Sequence, residues 1–141
     1  MISNFGNFLI LLTLISTLTI IYLSFKDIYT NNFLAISSNK FVTLSLFQTT
    51  FAVTCFFSLM VGFIISDFSL LAVFQNSHTL KPLFYKISGT WGNHEGSMLL
   101  WINIMVIFSF LFLINRKKDE VKFKLYSLLI QNILIFAFML F

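Results

Sequence analysis

Charged residues are scarce in this chain of 141 residues. Only 10% of the residues are Asp, Glu, Lys or Arg, whereas 58% are hydrophobic. With a mean hydropathy of +0.92, the composition lies outside the usual range of soluble domains. These numbers exclude a water-soluble enzyme or binding module and predict a protein that lives in a lipid bilayer.

Cysteine and proline each occur once, as Cys55 and Pro82. A single cysteine cannot form an intrachain disulfide, a haem-attachment pair or a thiol relay. We interpret Cys55, which stands in the middle of an apolar run, as a small buried residue. Internal repeats, Gly/Ser-rich linkers and low-complexity tracts are also absent from the sequence, so we predict one membrane domain over residues 1–141.

What the chain does have is four apolar blocks, each close to the ~20 residues that cross ~30 Å of hydrocarbon. They run over about 7–25, 42–65, 98–115 and 125–141. An open sheet edge cannot be satisfied in lipid, and the alternation typical of strands is not seen. The predicted fold class is therefore all-α, an integral membrane bundle of about four transmembrane helices, with a loop at 66–97.

The basic residues predict the orientation of this bundle. Only Lys81 and Lys86 belong to the middle loop. The other seven of the nine lie in or beside the first and last loops: Lys26, Lys40, Arg116, Lys117, Lys118, Lys122 and Lys124. Because cytoplasmic loops carry the excess of Lys and Arg, we predict that the loop 66–97 and the N-terminus lie outside, on the non-cytoplasmic face. The net charge of +4 is thus a signal of topology, and nucleic-acid binding is not expected.

The two ends of the chain carry expectations of their own. The first block has no basic residue before Lys26 and no Ala-x-Ala site, which favours a retained span over a cleaved signal peptide. The last block stops at Phe141 after 17 residues, without an aromatic or charged anchor of the Trp, Tyr or Lys type. We therefore expect the N-terminal fragment of a larger or split protein.

One segment, Gly89–Trp101 with the sequence GTWGNHEGSMLLW, crowds two tryptophans and the pair His94 and Glu95 against the third apolar block. A zincin would need a second histidine where Met98 stands, and a serine nucleophile elbow would need glycines two residues before and two after Ser97. Neither condition holds. The spacing therefore predicts no catalytic residue and no metal ligand.

Helix geometry leaves two interpretations of this segment open. Asn93 is a favoured N-cap residue, so Glu95 would fall in the first turn, where the helix dipole stabilises a carboxylate by ~0.3–1 kcal/mol. His94 and Trp101 then share one helix face, with Trp91 across the turn. These side chains either cap and anchor the helix at the membrane interface, or they form a polar-aromatic surface for a flat aromatic ligand.

The run from Ile87 to Trp101, ISGTWGNHEGSMLLW, resembles the signature of CcmF, the large membrane subunit of the cytochrome c maturation haem lyase. The resemblance extends to residues 2–9, 65–69 and 76–86, and it includes the mitochondrial split form CcmFN. It implies a role in cytochrome c-type biogenesis, in which haem is handled at the outer face of the membrane and attached covalently to apocytochrome c. It also implies a b-type haem in the membrane.

Joined to the resemblance, the shared outer position of these side chains predicts an outer haem-handling surface made by Trp91, His94, Glu95 and Trp101. The family's Trp-rich haem platform and its haem-ligating histidines would lie beyond Phe141, so this chain alone is not expected to be catalytic. The implied partners are the remaining part of the lyase subunit, the other maturation subunits, a haem-loaded chaperone, apocytochrome c and membrane lipid. The implied location is the bacterial inner membrane, or the mitochondrial inner membrane for an organellar chain.

A second hypothesis is a non-catalytic helical subunit of a respiratory or transport complex. It accounts for the hydropathy and the topology of the chain, but it leaves the Gly89–Trp101 segment unexplained. It would gain support from a proton path, yet no acidic or basic residue lies inside any of the four predicted spans.

Overall fold

A computed structural model describes residues 2–32, 39–115 and 121–140. In these three stretches the structure is helical and contains no strand, which confirms the all-α prediction. Four of the helices are long and apolar enough to cross a membrane. The helices are α1 (Ile2–Tyr29), α2 (Asn39–Ile65), α3 (Leu71–Asn76), α4 (Leu83–Gly89), α5 (His94–Ile114) and α6 (Val121–Leu140).

The helices begin a few residues before the predicted apolar blocks. Helix α5 begins at His94, four residues before the predicted start of the third span at 98, because its polar first turn is capped and helical. The predicted loop 66–97 contains two short helices, α3 and α4. Of the basic residues that predict the orientation, those at 116–118 lie outside the described residues.

The four long helices form a closed ring. Helix α1 packs against α2 and α6, and α5 packs against the same two helices from the other side. The short helix α4 packs against α2. Each long helix therefore has two long neighbours, and the interior of the ring is shared by all four.

Small and polar side chains line the interior of this ring. Helix α2 shows the pattern most clearly, because its buried residues recur mainly every three or four positions: Phe41, Ser45, Gln48, Ala52, Cys55, Gly62 and Phe63. Cys55 is buried, as predicted. Many large apolar side chains point outward instead; Phe8 and Phe108 are 57% and 64% exposed. Such a distribution suits lipid, where helices associate through close packing and polar contacts because lipid tails are as apolar as leucine.

Two apolar clusters stack along the bundle axis with a polar layer between them. The first cluster consists of Ile20, Phe41, Leu113, Leu125 and Leu128. The second consists of Ala52, Ile102, Val106 and Ile135. In the layer between, the side-chain amide nitrogen of Gln48 donates to Thr17 Oγ1 at 2.8 Å and to Asn132 Oδ1 at 2.9 Å. Gln48 thus joins α1, α2 and α6 in the middle of the bundle.

Candidate functional site

The start of α5 is held by one side chain, that of Asn93. Its Oδ1 accepts a hydrogen bond from the backbone N–H of Gly96 at 2.7 Å, which confirms the predicted N-cap. Its Nδ2 donates to the backbone oxygen of Gly89 at 2.8 Å. The same amide therefore ties the last residue of α4 to the first turn of α5, and we call this arrangement the Asn93 bracket.

Gly96 lets the two segments of the bracket approach closely. A Cβ atom built on Gly96 would lie 1.6 Å from the carbonyl oxygen of Thr90. Thr90 is fully buried. The obstacle is backbone, which cannot turn aside as a side chain can. Gly96 is thus required for space and not for backbone freedom, because no glycine in the described chain has a positive φ.

A polar corner after α2 fixes the position of α4. Ser66 adopts the left-handed conformation with φ 57°, and its hydroxyl accepts a hydrogen bond from Lys86 Nζ at 2.7 Å. Asp67 then accepts from the hydroxyl and the backbone N–H of Ser69 at 2.7 and 3.1 Å. These hydrogen bonds, the hydroxyl first, hold the pKa of the Asp67 carboxyl below its usual value. The carboxylate is therefore charged at neutral pH and closes the turn into α3.

A cavity of about 280 Å³ opens at the end of the bundle that carries His94. All four long helices line it, through the N-terminal halves of α1 and α5 and the C-terminal halves of α2 and α6. Its deeper wall is apolar and includes Cys55 and Ile102, both of which are buried. His94 and Glu95 are exposed and also line the cavity, so we place them at its mouth. We call this space the bundle cavity.

The four residues predicted to share one outer surface are divided by the structure. His94 and Glu95 line the bundle cavity, and Met98 continues the same wall one turn deeper. Trp101 falls on the flank of that wall and is 56% exposed, and Trp91 is 42% exposed. Neither indole lines the cavity. The site therefore has an ionisable pair at a cavity mouth and two tryptophans on neighbouring surface.

Sequence reasoning missed the contributions of α1 and α6 to this site. Residues Ser3, Asn7 and Ile10 line the bundle cavity from α1, and Phe138 and Met139 line it from α6. Those of α1 are spaced by three or four positions, which is the helical period, and this signal was present in the sequence. The lining residues of α6 are apolar, so no polar residue in the sequence indicated that this helix contributes to the site.

The comparison with curated proteins yields relatives of one kind. Over 97 residues, 69% of this chain, the sequence is 41% identical to the cytochrome c-type biogenesis protein CycK of Bradyrhizobium diazoefficiens. Over 51 residues, 36% of the chain, it is 63% identical to CycK of Rhizobium meliloti. Over 110 residues, 78% of the chain, it is 32% identical to the cytochrome c-type biogenesis protein CcmF of Haemophilus influenzae. The chain is a CcmF-like sequence.

The relatives are much longer than the matched segment. The match covers 15% of the Bradyrhizobium protein, 8% of the Rhizobium protein and 17% of the Haemophilus protein. No family model matches the chain. No solved structure matches it either. The CcmF-like character of the chain thus rests on sequence similarity to a limited part of these proteins.

Proposed function

We propose that this CcmF-like chain is the N-terminal membrane part of a haem lyase subunit, and that it takes part in handling haem at the outer face during cytochrome c maturation. The observation that carries the proposal is the position of His94 and Glu95, which lie in the signature-like segment and at the mouth of the bundle cavity. The names of the relatives point to the same pathway.

In this proposal haem is the cargo, and the chain contacts it at the outer surface of the bundle. The bundle cavity, at about 280 Å³, is at the small end of ligand pockets and cannot enclose a porphyrin ring. His94 is the one imidazole among its described lining residues, and the buried polar layer offers amides and hydroxyls. The residues present therefore do not fit a b-type haem inside this bundle, and we assign that haem to other parts of the lyase.

The residues of the site have separable tasks. An imidazole can ligate iron or form hydrogen bonds, which suits His94 to contact haem. Glu95 supplies a carboxylate within the first turn of α5, and the Asn93 bracket fixes the direction in which both side chains leave the helix. Trp91, just before α5, and Trp101, two turns along it, provide exposed aromatic area outside the cavity. Attachment of haem to apocytochrome c is completed by the partner parts of the lyase.

The setting of the site follows from the distribution of basic residues. The segment 66–97 faces the periplasm or the intermembrane space, and the bundle spans a bacterial or mitochondrial inner membrane. Its partners are the rest of the lyase subunit, the other maturation subunits, a haem-loaded chaperone and apocytochrome c.

A cysteine scan tests this orientation. In a chain with Cys55→Ala, the exposed position of Asn76→Cys should react with a membrane-impermeant maleimide in intact cells. Asn115→Cys, which is also exposed but follows the opposite end of α5, is the matched control and should react only after the membrane is opened. The reverse pattern of labelling would place the site on the cytoplasmic side.

Replacement of His94 tests the site itself. We expect His94→Ala to lower the yield of mature cytochrome c by roughly tenfold, which is the lower end of the effect of removing a side chain that supports a metal site. The amount of the chain in the membrane should stay unchanged. His78→Ala removes the only other histidine, which is exposed in the loop after α3, and should leave the yield unchanged. A parallel fall of protein amount and yield would favour the anchoring interpretation, and a normal yield at normal protein amount would refute the role of His94.

A further inference from the structure

A second concave surface lies beside the Asn93 bracket, on the loop side of α4. It encloses about 220 Å³ and is distinct from the bundle cavity, with which it shares no lining residue. We call it the loop pocket. Its lining residues are Asn76, Lys81, Tyr85, Ser88, Gly89 and Gly92.

The charge of the loop pocket is set by Lys81, the one ionised side chain in its lining. The ammonium group donates to the backbone oxygen of Asn76 at 3.0 Å. An ammonium has three donors, so this contact holds it in place and leaves donors for a second acceptor. The lining hydroxyl of Tyr85 can also donate, whereas that of Ser88 donates to the backbone oxygen of Tyr85 at 3.4 Å. The pocket thus offers convergent donors and one positive charge.

The acidic groups of the same segment are engaged elsewhere. Asp67 accepts two hydrogen bonds from Ser69. Glu95 lines the bundle cavity. The positive charge of the loop pocket is therefore not opposed by a carboxylate in its own lining, which favours an incoming oxyanion.

Two exposed apolar residues precede lining residues of the loop pocket in the chain. Leu80 and Phe84, the neighbours of Lys81 and Tyr85 in the chain, are 93% and 77% exposed. Exposed apolar side chains suit contact with lipid elsewhere on this bundle, and beside a polar pocket they also suit the apolar body of a ligand. The combination selects a ligand with an oxyanion attached to an apolar body.

We propose that the loop pocket binds a carboxylate of haem, one of its two propionates, while the exposed Leu80 and Phe84 contact the porphyrin. This inference rests on the proposed function, because that function brings haem to the outer surface. The pocket is too small for the ring and large enough for a carboxylate arm. The same chemistry is offered by the phosphate of an anionic phospholipid, which the experiment must separate.

The test uses the full chain in nanodiscs of zwitterionic lipid, with mesoporphyrin IX and its dimethyl ester as fluorescent probes. Both lack iron and vinyl groups, so their binding is independent of haem attachment. Lys81→Gln should weaken binding of the diacid by about tenfold, as expected for the loss of one charge-assisted hydrogen bond. It should leave binding of the ester unchanged. Comparing variants with the same probe cancels partitioning into lipid. Lys81→Arg should restore diacid binding.

The matched control is Lys40→Gln, since Lys40 is exposed at the opposite end of the bundle and does not line the loop pocket. It should bind both probes as the unaltered chain does. Equal affinities of the unaltered chain and Lys81→Gln for the diacid, or an equal loss for diacid and ester, would overturn the proposal. So would loss of the diacid preference when phosphatidylglycerol is added, because the pocket would then take lipid headgroups. A diacid preference that depends on Lys81, together with normal cytochrome c in cells carrying His94→Ala, would refute the role of His94 and leave the loop pocket standing.

Discussion

Replacing Gly96 with alanine should remove most of the folded chain from the membrane. Alanine is normally better than glycine in a helix by about 1 kcal/mol. Here the added Cβ would lie 1.6 Å from the carbonyl oxygen of Thr90, so the first turn of α5 must move away from the end of α4. Overpacking costs about 1–3 kcal/mol where side chains can adjust, and we expect at least the upper value against rigid backbone. The measurements are the free energy of unfolding in detergent and the amount of chain in the membrane.

Gly6→Ala is the matched control for this substitution. Gly6 is also helical, but a Cβ there meets only the hydroxyl of Ser58 at 3.8 Å, an ordinary contact. We expect unchanged or slightly increased stability, by up to about 1 kcal/mol. Should Gly96→Ala prove as stable as Gly6→Ala, the close approach between α5 and Thr90 described above would be wrong.

Replacing Gln48 with leucine should destabilise the bundle at its middle. The side chain is fully buried, and its amide nitrogen serves acceptors on α1 and α6. Its loss leaves Asn132 Oδ1 without that donor, and an unmet buried acceptor costs about 1–3 kcal/mol. Side-chain hydrogen bonds between helices inside membranes average about 0.6 kcal/mol and reach about 1.7 kcal/mol. We therefore expect the free energy of unfolding to fall by about 1–2 kcal/mol. Reversible unfolding in mixed micelles measures it.

A double-mutant cycle with Asn132→Leu separates the hydrogen bond from packing. Replacing both partners by apolar groups of similar size removes the unmet acceptor as well as the donor, which can be nearly neutral. The double variant should therefore be less destabilised than the sum of the two single variants. Strict additivity of the three free energies would show that Gln48 and Asn132 do not interact.

The sequence was sufficient for the parts of the structure that depend on chain-wide hydropathy or on short-range geometry. The four long helices follow from blocks of about 20 apolar residues, because each must satisfy its own backbone in lipid. The N-cap at Asn93 follows from residue type and position alone. Both predictions are confirmed. Hydropathy alone places the apolar block from about 98, and the N-cap at Asn93 adds the polar first turn that precedes it in α5.

The parts that depend on neighbours distant in the chain could not be read in the same way. Hydropathy treats Gln48 and Asn132 as two isolated polar residues in different spans, although they lie within 2.9 Å of each other. Likewise, His94 and Glu95 acquire a shared cavity only when α1, α2 and α6 close around α5. The separation of Trp101 from that wall depends on the rotation of α5 in the bundle, and the helical period does not fix this angle. Whether the tryptophans contact haem remains a prediction.

The Asn93 bracket also has a kinetic consequence. Its hydrogen bonds join residues three or four positions apart, so it can form within the segment from Gly89 to Gly96 on the microsecond scale of local structure. The bundle cavity instead requires contacts between distant residues, such as those of Gln48 with Thr17 and with Asn132, which are separated by 31 and 84 positions. Long loops close late because their entropy is lost before their contacts are gained. During synthesis, therefore, the turn that presents His94 should be complete before the bundle cavity has formed.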